Sequence, residues 1–514
     1  MNKYIKLAVC LITVAFCFTS CGNFDEINTD PDVPTRVTAA MLASGGIKSM
    51  LGSPGAKDFV QNNLACKHIA WGENSQGYLY NSFGRSGLSG YSTIINMEKM
   101  VELAPEQDQS AYSGLAQFIK AYKLFWVSMD LGDIPYSDAL KGEEGNMKPK
   151  YDTQKEVMLH VLDDLDKSYA FFCEAKDFDG DPFVGGSVER WKKIVSVFQL
   201  QVLMSLSKKV DDPDLRVKER FEKIVSSSTL MTSNADNFQL VYSDKDGQIY
   251  PLYYTTMYWD YPMVSSFLID MLRDTKDYRL FYYARPAESK LKAGVAADSW
   301  DVFVGTDVTL DFASHKDLYV AKNFSGLNWR YTHTREGEPV VRLGYSQQNF
   351  ILAEAVVRGW ITGDASTYYK QGIKASMDFT VAHTPDEDTY HQGRKMTPEV
   401  INDFLAQSSI QLTGDKEGDI EKIITQRYIS SFMQYPWDAY FEYRRTGYPK
   451  LPINPATSLN TNAKDKIPVR WMYSTDEYSY NKENVEEAVA RQYGGNDEVN
   501  QLMWILKLYI MKHP

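Results

Sequence analysis

The clearest signal along the chain is a helical period of apolar residues. Between residues 113 and 136, Leu115, Phe118, Ile119, Tyr122, Trp126 and Met129 recur at three- and four-residue spacings and so share one helix face. Gly132 and Pro135 then supply the stop. Thr153 and Glu156 have the spacing of a capping box, and Met158, Val161, Leu162, Leu165 and Tyr169 line one face of the helix behind them. After a turn-rich stretch at 177–187, a third helix carries Trp191, Ile194, Val195, Phe198, Val202 and Leu206.

Residues 350–377 predict a helical hairpin. Ala353, Val356, Val357 and Trp360 form one face, Thr362-Gly363-Asp364 the turn, with Asp364 as N-cap, and Ala365, Tyr368, Tyr369, Gly372, Ile373, Ser376 and Met377 the facing one. Small residues on both sides (Ala353, Gly359, Gly372, Ala375) allow close approach, the logic of tetratricopeptide units, although no strict repeat register is present. Residues 235–345 break the pattern. They are rich in Tyr, Gly, Asp and Asn, with brief strands expected at 238–243 and 339–345, and read as a loop-rich insert on a helical frame.

The first 35 residues are of another kind. Lys3 and Lys6 precede an apolar run of 12 residues, Leu7 to Phe18, too short for an anchor helix but suited to a secretory leader. Thr19, Ser20 and Cys21 then read as a lipobox, with cleavage before Cys21 and acyl chains on the new N-terminus; Phe18 stands where Leu is usual. Residues 21–35 form a polar tether marked by Pro31 and Pro34, and 36–514 are expected to be a single helical domain.

Composition narrows the classes. The net charge of −12 becomes −14 once Lys3 and Lys6 leave with the leader, which argues against nucleic-acid binding. Of 5 cysteines only Cys21, Cys66 and Cys173 stay in the mature chain, so this is not a disulfide scaffold, and no Cys/His spacing makes a zinc site. Asp177, Asp179 and Asp181 open like a calcium loop, but Pro182 and Val188 stand where an EF-hand needs Gly and Glu; a solvated turn is expected. No nucleophile elbow, metalloprotease helix or phosphate-binding glycine loop occurs, so no catalytic residue, metal or cofactor is assigned.

Several stretches, taken in order, resemble one family. They are Asn28-Thr-Asp30-Pro31-Asp-Val-Pro34-Thr35, Gly132-Asp133-Ile134-Pro135-Tyr136, the turn from Gly185 to Lys193, the helix from Leu352 to Trp360, the block from Gln426 to Pro449, and Glu477, Asn481 and Asn484. Together they resemble the SusD/RagB-like outer-membrane lipoproteins of Bacteroidetes, with Tyr473-Ser474 departing from an expected Tyr-Pro. The resemblance implies an all-α fold of tetratricopeptide-like hairpins with loop inserts and a few short strands. It also implies a lipoprotein held in the outer membrane through Cys21, exposed at the surface, that captures an oligosaccharide or other small nutrient. The partner implied is a TonB-dependent, SusC-like barrel.

On that reading the aromatic loops are the candidate site. Residues 71–87 offer Trp71, Asn74, Gln76 and Tyr78; residues 250–262 offer Tyr253, Tyr258 and Trp259, with Asp260 beside them; Trp329 adds another ring. Sugar rings stack C–H faces on aromatic rings, and their hydroxyls need Asn, Asp or Gln partners. Arg444 and Arg445 are expected to pair with carboxylates inside the fold. Two other classes compete: a surface glycoside hydrolase, whose carboxylate pair need not be adjacent in sequence, and an adhesive surface lipoprotein that binds protein partners.

Overall fold

The computed structural model describes residues 36–509 apart from residues 53 and 435; the leader, Cys21 and the tether lie outside the described residues. The frame is built from α1 (Ala39–Leu51), α2 (Tyr91–Glu102), α3 (Gln109–Leu131), α4 (Gln154–Glu174) and α5 (Val188–Ser205). The chain returns to it with α6 (Tyr345–Val357), α7 (Ala365–Ala382), α8 (Lys416–Ser430) and α9 (Asp438–Thr446). The expected apolar faces are the buried ones: Leu115, Phe118 and Ile119 on α3, and Trp191, Ile194, Val195, Phe198 and Val202 on α5, are all at 0% exposure. Phe118 sets its ring edge-on to both Trp191 and Phe198.

The local signals also hold. Thr153 and Glu156 form a reciprocal capping box at α4, and Gly132 ends α3 with φ +97°. Asp364 accepts from the amides of Ser366 (3.0 Å) and Thr367 (3.2 Å) to start α7. Gly372 lets α6 and α7 meet: a Cβ there would lie 2.8 Å from the Phe350 ring.

Arg445 on α9 donates to both oxygens of Glu354 on α6 at 2.6 Å each and also to Glu442. Arg427 on α8 forks onto Asp438 at 2.9 and 2.7 Å. Burial opposes ionisation of Glu354, but Arg445 and Arg358 outweigh it and hold the carboxyl well below its usual range. Arg444 departs from expectation. It bonds the carbonyls of Met129 (2.7 Å) and Val469 (2.8 Å) rather than a carboxylate.

Three further expectations are corrected. The turn at 177–187 exists, but Asp181 is buried rather than solvated: it accepts from the amides of Phe183, Val184 and Gly186 and from the Trp191 indole. The apolar run 502–511, whose sequence reads as a core helix or strand broken by Lys507, is neither across the described residues; it makes one 3-10 turn at Trp504–Leu506 and leaves Leu508 exposed. The region 235–345 holds helices at Ser266–Asp274 and Phe312–Val320 as well as loops. Its expected strands do form, as β2 (Phe238–Leu240) and β4 (Val340–Leu343), paired antiparallel. No helix among the described residues is long and apolar enough to cross a membrane.

A narrow ribbon organises the loops. β1 (Ile69–Trp71) pairs antiparallel with β3 (Pro262–Val264), in the register Ile69↔Val264, Ala70↔Met263 and Trp71↔Pro262. Beyond β3, Met263 bridges Gly326, and Leu327 bridges Ala284. The loops at 72–78, 250–261 and 319–333 therefore leave one common support.

Candidate functional site

Trp259, Trp329 and His333 make an aromatic ledge on this support. The two indoles lie 6.5 Å apart at 42°, and the His333 ring sits 5.6 Å from Trp259 and 4.4 Å from Trp329. Tyr254, half exposed, continues the ledge 5.6 Å from His333. Arg285 lies behind the rings, its guanidinium 4.4 Å from the Trp329 centroid and 5.9 Å from that of Trp259. Gly326 leaves the room: a Cβ there would come 2.8 Å from the guanidinium carbon.

Asp260 is the electrostatic tie. It pairs with Arg285, accepts from Lys322 at 3.0 Å and from the Tyr319 hydroxyl at 3.2 Å. Burial opposes its ionisation, yet Arg285 and Lys322 prevail and hold its carboxyl below the usual range. Asp260 is thus committed to holding the ledge rather than free for ligand hydroxyls. Burial first, then the Arg285 charge, lowers the pKa of His333, so the imidazole is neutral at pH 7. Beside Trp329 opens a cleft of about 540 Å³, lined by Arg285, Glu288, Asp298, Asp388 and Gln392 among others, a volume in the range of small-ligand sites.

The sequence-chosen residues divide into groups. Trp259 and Trp329 are brought together on the ledge. Tyr253 lies beneath it, 9% exposed, its ring 4.5 Å from Tyr254. Asn74, Gln76 and Tyr258 form a neighbouring polar corner. Lys57 sits 5.3 Å from the Tyr258 centroid and bonds Glu73 (3.1 Å) and the Asn74 carbonyl (3.4 Å), which Gln76 also approaches.

Trp71 is fully buried, donating its indole N–H to Glu73, because it belongs to β1 rather than to the loop after it; it cannot serve as a stacking platform. Tyr78 packs into a separate aromatic cluster, its ring 5.0 Å from both Phe83 and Trp437 and its hydroxyl accepting from Trp471. The sequence reading did not single out His333, Arg285 or Lys322. His333 stands four residues after Trp329, the i, i+4 spacing that could have drawn attention to it; Arg285 has no such local signal.

The comparisons agree with this architecture. Residues 39–474 match the family model SusD-like_2, described as starch-binding and associating with the outer membrane. The chain belongs to the SusD-like family. A SusD homolog from Bacteroides fragilis has 55% identity, covering 92% of this chain and 100% of its own, with a TM-score of 0.90. A Bacteroides vulgatus structure, described as a candidate outer-membrane protein for nutrient binding, has 32% identity over 92% and 100%, with a TM-score of 0.82. A chitin-binding SusD homolog from Flavobacterium johnsoniae has the same fold at 18% identity over 90% and 98%, with a TM-score of 0.70. No curated protein sequence matches the chain. This is a SusD-like outer-membrane nutrient-binding protein, in a family of non-catalytic binding proteins.

Proposed function

We propose that this SusD-like protein captures an oligosaccharide on the Trp259–Trp329 ledge and its adjoining cleft and hands it to a TonB-dependent, SusC-like barrel. The observation that carries the reading is the pair of indoles 6.5 Å apart beside an open cleft of about 540 Å³. Flat rings next to polar side chains suit a ligand with C–H faces and hydroxyl edges. Asn74, Gln76 and Tyr258 extend the contact surface on one side, and Tyr253 supports Tyr254 on the ledge. The starch-binding description of the family supports a glycan as the ligand class. A lipid on Cys21 holds the mature chain in the outer membrane, and residues 21–35 let the domain stand off it at the surface.

The test is calorimetric titration of the mature protein with a panel of oligosaccharides and peptides, with the same mixtures assayed for product. Saturable binding of an oligosaccharide, recovered intact and weakened at least tenfold in both Trp259→Ala and Trp329→Ala, is the expected result. Binding that both variants leave unchanged would move the site elsewhere, and a preference for peptides would overturn the ligand class.

A further inference from the structure

A second cavity, of about 380 Å³, opens between α4, α5 and the helix Val217–Ser227, and no ledge residue lines it. Its position follows from the period of α5. Phe198 points into the aromatic core at 0% exposure, and Gln199, about 100° further round the helix, turns away from that core. Tyr169, Ala170 and Ile224 give the cavity an apolar lining, while Asp166, Gln199 and Arg220 give it a row of planar polar groups.

Asp166 ties the row together. One of its oxygens accepts from the Gln199 amide at 2.7 Å, the other from the Arg220 guanidinium at 2.7 Å. Burial holds the Asp166 carboxyl above its usual range against the pull of Arg220 and Lys223. Both lining arginines already have carboxylate partners: Arg220 also bonds Asp163 at 3.0 Å, and Arg216 bonds Glu219 at 2.6 Å through its Nε. Hydrogen bonding, however, is incomplete among the described residues. The Gln199 carbonyl has no donor, although the residue is 3% exposed, and the buried Arg220 Nε–H has no acceptor. Both atoms belong to groups that touch the same carboxylate, so the unmet demand is one donor and one acceptor, flanking Asp166. Buried polar atoms left in this state are costly.

We propose that this cavity is a second carbohydrate site, for one neutral hexose unit with two adjacent free hydroxyls. One hydroxyl donates to the Gln199 carbonyl, its neighbour accepts from the Arg220 Nε–H, and a C–H face of the ring rests on Tyr169 and Ile224. A hydroxyl both donates and accepts, so a neighbouring pair completes both atoms at once, and the cavity volume is in the range of small-ligand sites.

The test is calorimetric titration of the mature Trp329→Ala protein, in which the ledge is disabled, with glucose, galactose and mannose. Tetrahydropyran-2-methanol, the same ring without adjacent hydroxyls, is the control. Saturable binding of at least one hexose, tenfold or more tighter than the control, is expected. Gln199→Met, which removes the carbonyl, and Ser227→Trp, which fills the cavity without touching the polar row, should each weaken it at least tenfold in the same background. Because the titration is run without the ledge, its outcome is independent of the ledge reading. No saturation by about 50 mM for any of the three hexoses, a limit near the weakest useful affinities, equal binding of the control, or binding that both cavity variants retain would overturn the proposal.

Discussion

Glu354→Gln tests how dry the ion-pair network between α6, α8 and α9 is. Glu354 has a side chain only 1% exposed and accepts from Arg445 twice at 2.6 Å and from Arg358 at 2.7 Å. Glutamine keeps the shape but removes the charge. Removing one partner of a buried pair typically costs about 3–5 kcal/mol, because the other charge stays behind. Arg445 retains Glu442, so the lower end, about 3 kcal/mol, is expected. For a chain this long the unfolding entropy is about 1 kcal/mol per degree, which turns that loss into a fall in melting temperature of about 3 °C. Calorimetric and urea unfolding of the two proteins give the shift and the free-energy change independently. A urea-derived change below about 1 kcal/mol would refute the reasoning, since only a water-screened pair is so cheap to break.

Gly186→Ala should destabilise strongly, by about 3 kcal/mol or more: the residue has φ +65° and a Cβ would run into the Phe178 backbone carbonyl, a clash readable as a drop in urea midpoint. Burial first, then the charge of Arg330, lowers His383 to about 4 from 6.5. The unfolded chain therefore binds the extra proton as pH falls between those values, so stability declines on acidification through that window, and His383→Gln should flatten this part of the stability curve. Cys21→Ala should yield a folded protein that leaves the membrane fraction on cell fractionation; retention there would refute lipid anchoring.

The helical frame was legible because its signals are local. Periodicity named the buried faces of α3, α4 and α5, and Thr153, Gly132 and Asp364 marked element ends through chemistry that needs no tertiary context. The site was only partly legible. Trp71 sits in a polar, glycine-rich stretch that reads as surface, yet its pairing with Pro262, 191 positions away, buries it. Tyr78 was chosen for its loop and is claimed by Trp437 and Trp471 from the far end of the chain. Arg285 reaches the ledge through the Leu327–Ala284 bridge and the Asp260 pair, both long-range contacts that no spacing encodes. Asp181 was misjudged for the opposite reason: Asp-Gly-Asp composition suggests water, while the turn folds its own amides onto the carboxylate.

The three-residue ladder between β1 and β3 makes loop length a ruler. Each residue of strand advances the chain by roughly 3.3 Å, about the thickness of one aromatic ring. An insertion or deletion taken up as a one-residue slip would offset the walls carried by 72–78 and 250–261 by that step and reverse which side chains face outward. Loop length can therefore reset the spacing of these walls while the ion pairs that fix the frame stay untouched.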